Sequence, residues 1–141
     1  MTTDPDADAR RARNCEAIRV MLERFSAGDK EGQLAHVDDD IVYLAPYYAE
    51  MAPRRGKAQM RAMLEAVEER FSSILYEVVE LFPTTDPDLV VAEVRGDHQV
   101  KGAPRRYRNH YVMFMRFRDG KVVEWREFSN PDVYRRAVTG E

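Results

Sequence analysis

From about Asp8 the apolar positions of the chain recur at three- and four-residue steps: Cys15, Ile18, Met21, Leu22 and Phe25, with Gly28 closing the run. That spacing is one face of an α-helix, because a core-facing stripe must repeat with the 3.6-residue turn. Residues 1–7 are expected to be a flexible start, and residues 8–141 a single domain. A shorter helix is predicted over 29–37 with Leu34 and Val37 inward. The acidic triplet Asp38-Asp39-Asp40 then makes a solvated turn into a strand over 41–45. Residues 46–55 read as a loop holding Tyr47, Tyr48 and Met51, either a lid over an apolar pocket or a cover for the core edge. After Gly56 a third helix runs to about Phe71, carrying Met60, Met63, Leu64, Val67 and Phe71 on one stripe.

Beyond Ser73 the period falls from 3.6 to 2, the repeat of a half-buried strand. Strands are predicted over 74–82, 89–100, 105–118 and 121–129, punctuated by the turn clusters Thr84–Asp88 and Lys101–Pro104 and by Asp119-Gly120. Pro131 stops the last strand, and residues 132–138 form a final helical turn. Helices followed by a run of antiparallel strands give an α+β fold: a cone-like curved, mostly antiparallel sheet packed on three helices from the N-terminal half. Such a sheet leaves a conical pocket between the layers.

Composition narrows the function. The 141 residues carry 44 % apolar and 33 % charged side chains, an ordinary folded composition. A net charge of −3 argues against nucleic acid as the main partner. The chain's one cysteine, Cys15, excludes an internal disulfide and a thiolate metal cluster, and is expected in a buried helix position. With no signal-peptide pattern and no apolar run near membrane-spanning length, a cytoplasmic protein without a membrane partner is expected. No phosphate loop, nucleophile elbow or paired metal-ligand spacing occurs, so neither a cofactor nor a metal is expected.

Two stretches carry candidate chemistry. In Glu124–Pro131, alternation puts Val123, Trp125 and Glu127 on one face and Glu124, Arg126 and Phe128 on the other. A carboxylate ending an apolar row lies either at a wet sheet margin or inside a pocket, where burial raises its pKa and makes it a usable acid or base. On the strand 89–100, Glu93, Arg95 and Asp97 share one face, and Val90, Ala92 and Val94 the other. The charged row either faces water or lets the Arg95 fork bridge Asp97 and Glu127, so that one carboxyl keeps a proton and the other serves as base. Asn109 shares a face with Tyr107, Tyr111, Met113 and Met115, whereas His110 lies on the opposite face.

The three-helix start, the long strands and the ending Trp125-Arg126-Glu127-Phe128 with Asn130-Pro131 resemble the nuclear transport factor 2-like superfamily. Within it the chain is similar to the phenazine-biosynthesis A/B proteins and SnoaL-like cyclases. The likeness runs through Arg55-Gly56, Thr84 with Asp86-Pro87, Arg95-Gly96, Tyr107-Arg108-Asn109-His110, Arg126-Glu127-Phe128 and Asn130-Pro131. It implies a glutamate at Glu127 that handles protons during condensation of a cyclic amino-ketone; the helix histidine and serine that assist it there correspond to Met63 and Val67 here. A second likeness, to limonene-epoxide hydrolases, rests on Arg95, Asp97 and Glu127, with Tyr43 as the water-holding tyrosine and Ala45 where that family has an asparagine.

These resemblances imply an acid–base enzyme of the isomerase, cyclase or condensation kind, acting on a small apolar or aromatic carbonyl or imine compound. Its catalytic residues would be Glu127, Asp97 and Arg95. Tyr43, Asn109, Met60, Met63, Trp125 and Tyr47 would bind the ligand. Epoxide hydrolysis by Asp97, Arg95 and Glu127, and ligand binding without chemistry, are the alternatives. A homodimer paired through the outer sheet face is implied as well.

Overall fold

The structure, a computed structural model, describes residues 4–141. Helix α1 (Pro5–Ser26) starts earlier than the apolar stripe, because Asp4 caps it: its carboxylate accepts the backbone N–H groups of Asp6 and Ala7, and Pro5 supplies a preset φ. Residues 5–7, expected to be loose, therefore form the first turn, and residues 1–3 lie outside the described residues. The buried stripe is Asn14, Ile18, Met21, Leu22 and Phe25. Cys15 is only half-buried, and Asn14 takes the inward place, its amide donating to the Pro87 carbonyl at 3.0 Å. That bond ties the first helix to the turn that precedes the long strands.

Helix α2 (Lys30–Leu34) is a single turn, shorter than expected, since Val37 already pairs in strand β1 (Val37–Leu44). The acidic triplet is not a turn. It sits in an irregular stretch of β1, between the pairs Val37–Val122 and Val42–Glu124, where Asp39 and Asp40 reach water. The two-residue β2 (Arg54–Arg55) precedes α3 (Lys57–Arg70), entered through Gly56 at φ 84°, a left-handed conformation that favours glycine.

The expected strand 74–82 is two strands, β3 (Phe71–Ser73) and β4 (Tyr76–Pro83), both antiparallel to β5 (Leu89–Val100). At the break Leu75 gives its N–H to His98 Nδ1 and its carbonyl to the Asp97 N–H. Strands β6 (Arg106–Arg118) and β7 (Lys121–Phe128) form the closing hairpin, and helix α4 (Pro131–Thr139), capped by Asn130, covers one end.

The sheet order is β2-β1-β7-β6-β5-β3, with β4 also on β5; only the β1–β7 pair is parallel. Its inner face presents Val90, Ala92, Val94, Tyr107, Tyr111, Met113, Met115, Phe117, Val122 and Trp125 to the helices. Val122, not Val123, is the inward residue at the start of β7. Phe117 pairs with Val122 and Arg116 with Glu124, so Val123 is the extra residue of a bulge. No helix among the described residues is long and apolar enough to cross a membrane.

Candidate active site

Between the inner sheet face and helices α1 to α3 lies a cavity of about 160 Å³. Its wall is mainly apolar: Leu22 and Phe25 from α1, Met60, Met63, Leu64 and Val67 from α3, Phe71 from β3, and Met113 and Trp125 from the sheet. Six of the chain's seven tyrosines (43, 48, 76, 107, 111 and 134) line it, so its polar groups are chiefly phenol hydroxyls set in an aromatic wall.

Glu127 enters this cavity from β7, on the same face as Trp125, as alternation along the strand requires. Its carboxyl is enclosed by protein but faces the open cavity, so part of the residue remains accessible. Tyr43, brought alongside by the parallel β1–β7 pairing, donates its hydroxyl to Glu127 Oε2 at 2.8 Å. Burial in these apolar surroundings pushes the carboxyl pKa up to about 7, against the opposing pull of the Tyr43 hydroxyl and the Trp125 indole N–H. The phenols respond in the same sense. Burial, with the Glu127 charge behind it, holds Tyr43 and Tyr76 well above the usual tyrosine range, and Tyr111 is raised by burial first of all. All three remain protonated donors at neutral pH.

A second line of hydroxyls continues across the wall. Tyr111 donates to the Tyr107 hydroxyl at 2.9 Å, and Tyr48 and Ser129 lie in hydrogen-bond contact at 3.1 Å. Tyr134 of α4 stacks edge-on against both Tyr48 and Tyr107, so the 46–53 loop and the last helix meet over one side of the cavity.

Of the sequence-predicted residues, Glu127, Tyr43, Met60, Met63 and Trp125 converge here. Arg95 and Asp97 do not. They lie on the outer face of the sheet with Glu93, because Val90, Ala92 and Val94 take the inner one. Arg95 is exposed opposite His110, and Asp97 binds Arg106 at 2.7 Å and Arg108 at 3.4 Å, which hold its carboxyl below the usual range. A bridge from Arg95 to Glu127 would have to pass through the sheet. Asn109 does not line the cavity. It stands behind Tyr107, donating to its hydroxyl at 2.8 Å and to the Asn130 carbonyl at 3.0 Å. Tyr47 points outward against Phe128, at 62 % exposure, and its neighbour Tyr48 is the loop tyrosine that reaches inside. Tyr48 and Met51 line the cavity from the loop that was read as either a lid over an apolar pocket or a cover for the core edge, whereas sequence reasoning missed Tyr76, Tyr107, Tyr111, Tyr134, Gln33 and His98 as lining residues; the signal for Tyr107 and Tyr111 was their shared face with Met113 and Met115.

A curved sheet closed over helices around an apolar cavity with one buried carboxyl is the architecture of the nuclear transport factor 2-like fold. The chain belongs to the SnoaL-like domain family, whose model matches residues 18–125. It is 26 % identical to the uncharacterized protein YesE of Bacillus subtilis, over 89 % of this chain and 87 % of that one. It is 33 % identical to the phenazine biosynthesis protein PhzA1 of Pseudomonas aeruginosa over 60 % of this chain, but spans only 54 % of that protein's length. The crystal structure of a phenazine biosynthesis-related protein, phzb2, from the same organism superposes with a TM-score of 0.79 at 21 % identity, covering 99 % of this chain and 88 % of that one, a likeness of fold.

Proposed function

We propose that the chain is an acid–base enzyme of the isomerase or cyclase kind, acting on a small, largely apolar carbonyl compound within the cavity. The observation that carries this reading is the Glu127 carboxyl, enclosed by apolar groups, bonded to Tyr43 and poised at a pKa of about 7. At that value both protonation states are populated at neutral pH, which suits one group for taking and returning a proton.

In the forward step the Glu127 carboxylate takes a proton from the carbon next to the carbonyl, and the electron pair moves onto the carbonyl oxygen. A protonated phenol of the wall donates to that oxygen as its charge develops. The Glu127 carboxyl then returns the proton to a different atom, which leaves an isomer or primes ring closure. Tyr43 holds the carboxyl in place. Arg95 and Asp97 take no part, so epoxide hydrolysis through those two residues has no support in the geometry.

The test is deuterium exchange. Cyclic and aryl ketones incubated in D₂O are followed by proton NMR for loss of the hydrogens next to the carbonyl. Glu127→Gln should slow exchange by about 10²–10⁴-fold, the usual contribution of a positioned acid or base. Equal exchange by the two proteins would refute the role of Glu127, and binding without exchange would mark a ligand-carrying domain. The homodimer implied by resemblance would use the outer sheet face, where Val112 and Phe82 are exposed; sedimentation at two concentrations checks it.

A further inference from the structure

The cavity wall is one-sided in charge. Among the described residues no lysine or arginine lines it, and Arg70, exposed at the end of α3, reaches only the ring of Tyr134, at 5.7 Å. Helices α1, α2 and α3 bring no titratable side chain to the wall. The sheet, the 46–53 loop and α4 bring the six tyrosines, His98 and Glu127. Burial holds Tyr43, Tyr48, Tyr76, Tyr107 and Tyr111 protonated at neutral pH, and it lowers His98 to about 4, so that its ring is neutral. The charge that develops in the cavity near neutral pH is the negative one of Glu127.

That carboxyl is placed to meet a ligand. Tyr43 takes its Oε2, and its Oε1 is not among the buried polar atoms left without a hydrogen bond, so it opens on the cavity. Two aromatic rings flank it: Tyr43, bonded to it, and Trp125, two residues before it on the same strand face, with centroids 5.8 Å apart and planes inclined at 63°. Aromatic faces attract cations and repel anions. An anionic ligand would meet like charge and like faces, and a neutral one would leave the enclosed carboxylate without a counter-ion. A cation answers both.

We propose that the cavity is cation-selective: it takes a small apolar molecule whose one charge is a protonated imine, the nitrogen counterpart of a carbonyl, donating its N–H to Oε1 of the Glu127 carboxylate beside the Trp125 and Tyr43 rings. This rests on the cavity being the active site. The proton step then cancels charge. The carboxylate takes the proton from the carbon next to the C=N⁺ group, the C–H electron pair forms a C=C bond, and the C=N π pair moves onto nitrogen, leaving a neutral carboxyl and a neutral enamine. Return of the proton to a different carbon restores the cation as an isomer. An enclosed apolar site favours such a step over one that moves an unbalanced negative charge onto oxygen.

Trp125 is the chain's only tryptophan, so a single indole N–H resonance reports on the cavity. The protein is titrated with three compounds of similar size: the cyclic amidine 2-iminopiperidine, a stable C=N⁺ cation; its neutral isostere 2-piperidone; and the anion cyclobutanecarboxylate. At pH 8 the amidine should bind about tenfold or more tighter than the lactam, and the carboxylate should give no saturable shift. The amidine stays charged from pH 6 to pH 8 while Glu127, at about 7, goes from about one-tenth to about nine-tenths ionised. Its affinity should therefore rise about tenfold over that range, and that of the lactam should not. Glu127→Gln should remove both the preference and the pH dependence. Equal affinity for amidine and lactam at pH 8, a preference that survives Glu127→Gln, or a carboxylate bound as tightly as the amidine overturns the proposal and leaves the proton-transfer reading standing. Equal ketone exchange by wild type and Glu127→Gln refutes proton transfer even where the cation preference holds. No shift with any of the three compounds removes the cavity as a ligand site, and both readings with it.

Discussion

Replacing Glu127 by glutamine should make the protein more stable at alkaline pH and leave it nearly unchanged in acid. The carboxyl titrates at about 7 in the folded protein against an ordinary 4.5. Between those values the folded chain holds a proton that the unfolded chain has released, so the stability drawn from the neutral carboxyl is complete below pH 4.5. It drains away as the pH rises and is lost above about 7. A difference of about 2.5 between the two values, at about 1.36 kcal/mol each, amounts to about 3 kcal/mol. Glutamine is isosteric, still accepts the Tyr43 hydroxyl and never charges, so the variant escapes that loss. Carboxylates held low by arginines, Asp97 among them, contribute equally to both proteins and cancel in the difference. Urea unfolding of both proteins at pH 5 and pH 8.5 measures most of it: a part is already lost at pH 5, so the advantage of Glu127→Gln should grow by about 2–3 kcal/mol between the two. Parallel pH profiles would mean that Glu127 is solvated and ordinary, and the acid–base assignment would go with it.

Tyr43→Phe removes the one side-chain hydroxyl bonded to Glu127. Its carboxyl carbon should then titrate above about 7 by ¹³C NMR, and exchange of ketone hydrogens at neutral pH should fall by about tenfold or more. Gly96→Ala would set a methyl group 2.8 Å from the Tyr111 ring. Overpacking of that kind costs about 1–3 kcal/mol, read as a lowered urea midpoint with an unchanged slope. Arg95→Ala and Asp97→Asn should each leave ketone exchange within about a factor of two; Asp97→Asn should cost under about 1 kcal/mol, the range of exposed ion pairs, and Arg95→Ala, an exposed side chain, within about 0.5 kcal/mol. A large loss of turnover in either would contradict their place on the outer face.

Much of this architecture was legible in the chain. Strand β5 falls on the predicted 89–100, and β6, β7 and α3 differ from expectation by about one residue at their ends, because long runs of one period leave little choice. The misreadings came where local rules had to be joined across the sheet. Alternation correctly separated Glu93, Arg95 and Asp97 from Val90, Ala92 and Val94, and correctly kept Glu127 with Trp125. Linking the two sets required Arg95 and Glu127 to share a face. The apolar row of β5 already claimed the inner face, so its charged row had to lie outside. The tyrosine wall was harder to foresee, since Tyr48, Tyr76, Tyr107 and Tyr134 come from a loop, two strands and the last helix, and only the folded chain gathers them. The poise of Glu127 depends on that gathering, and no spacing in the chain encodes it.

Arg126 and Glu127 are consecutive residues that live in different solvents. Arg126 lies over the Phe114 ring at 4.7 Å and beside Glu124 at 3.2 Å on the convex side, while Glu127 looks into the cavity. A single layer of backbone acts as the partition. Its hydrogen-bonded ladder fixes both sides at once but carries no side chain across. The polar contacts on one side, Glu93 with His110 and Asp97 with Arg106 and Arg108, can therefore be rewritten to suit a neighbour, a salt concentration or a temperature without altering the chamber behind it. The chamber in turn can be recut for a new ligand without changing what the molecule shows to its surroundings.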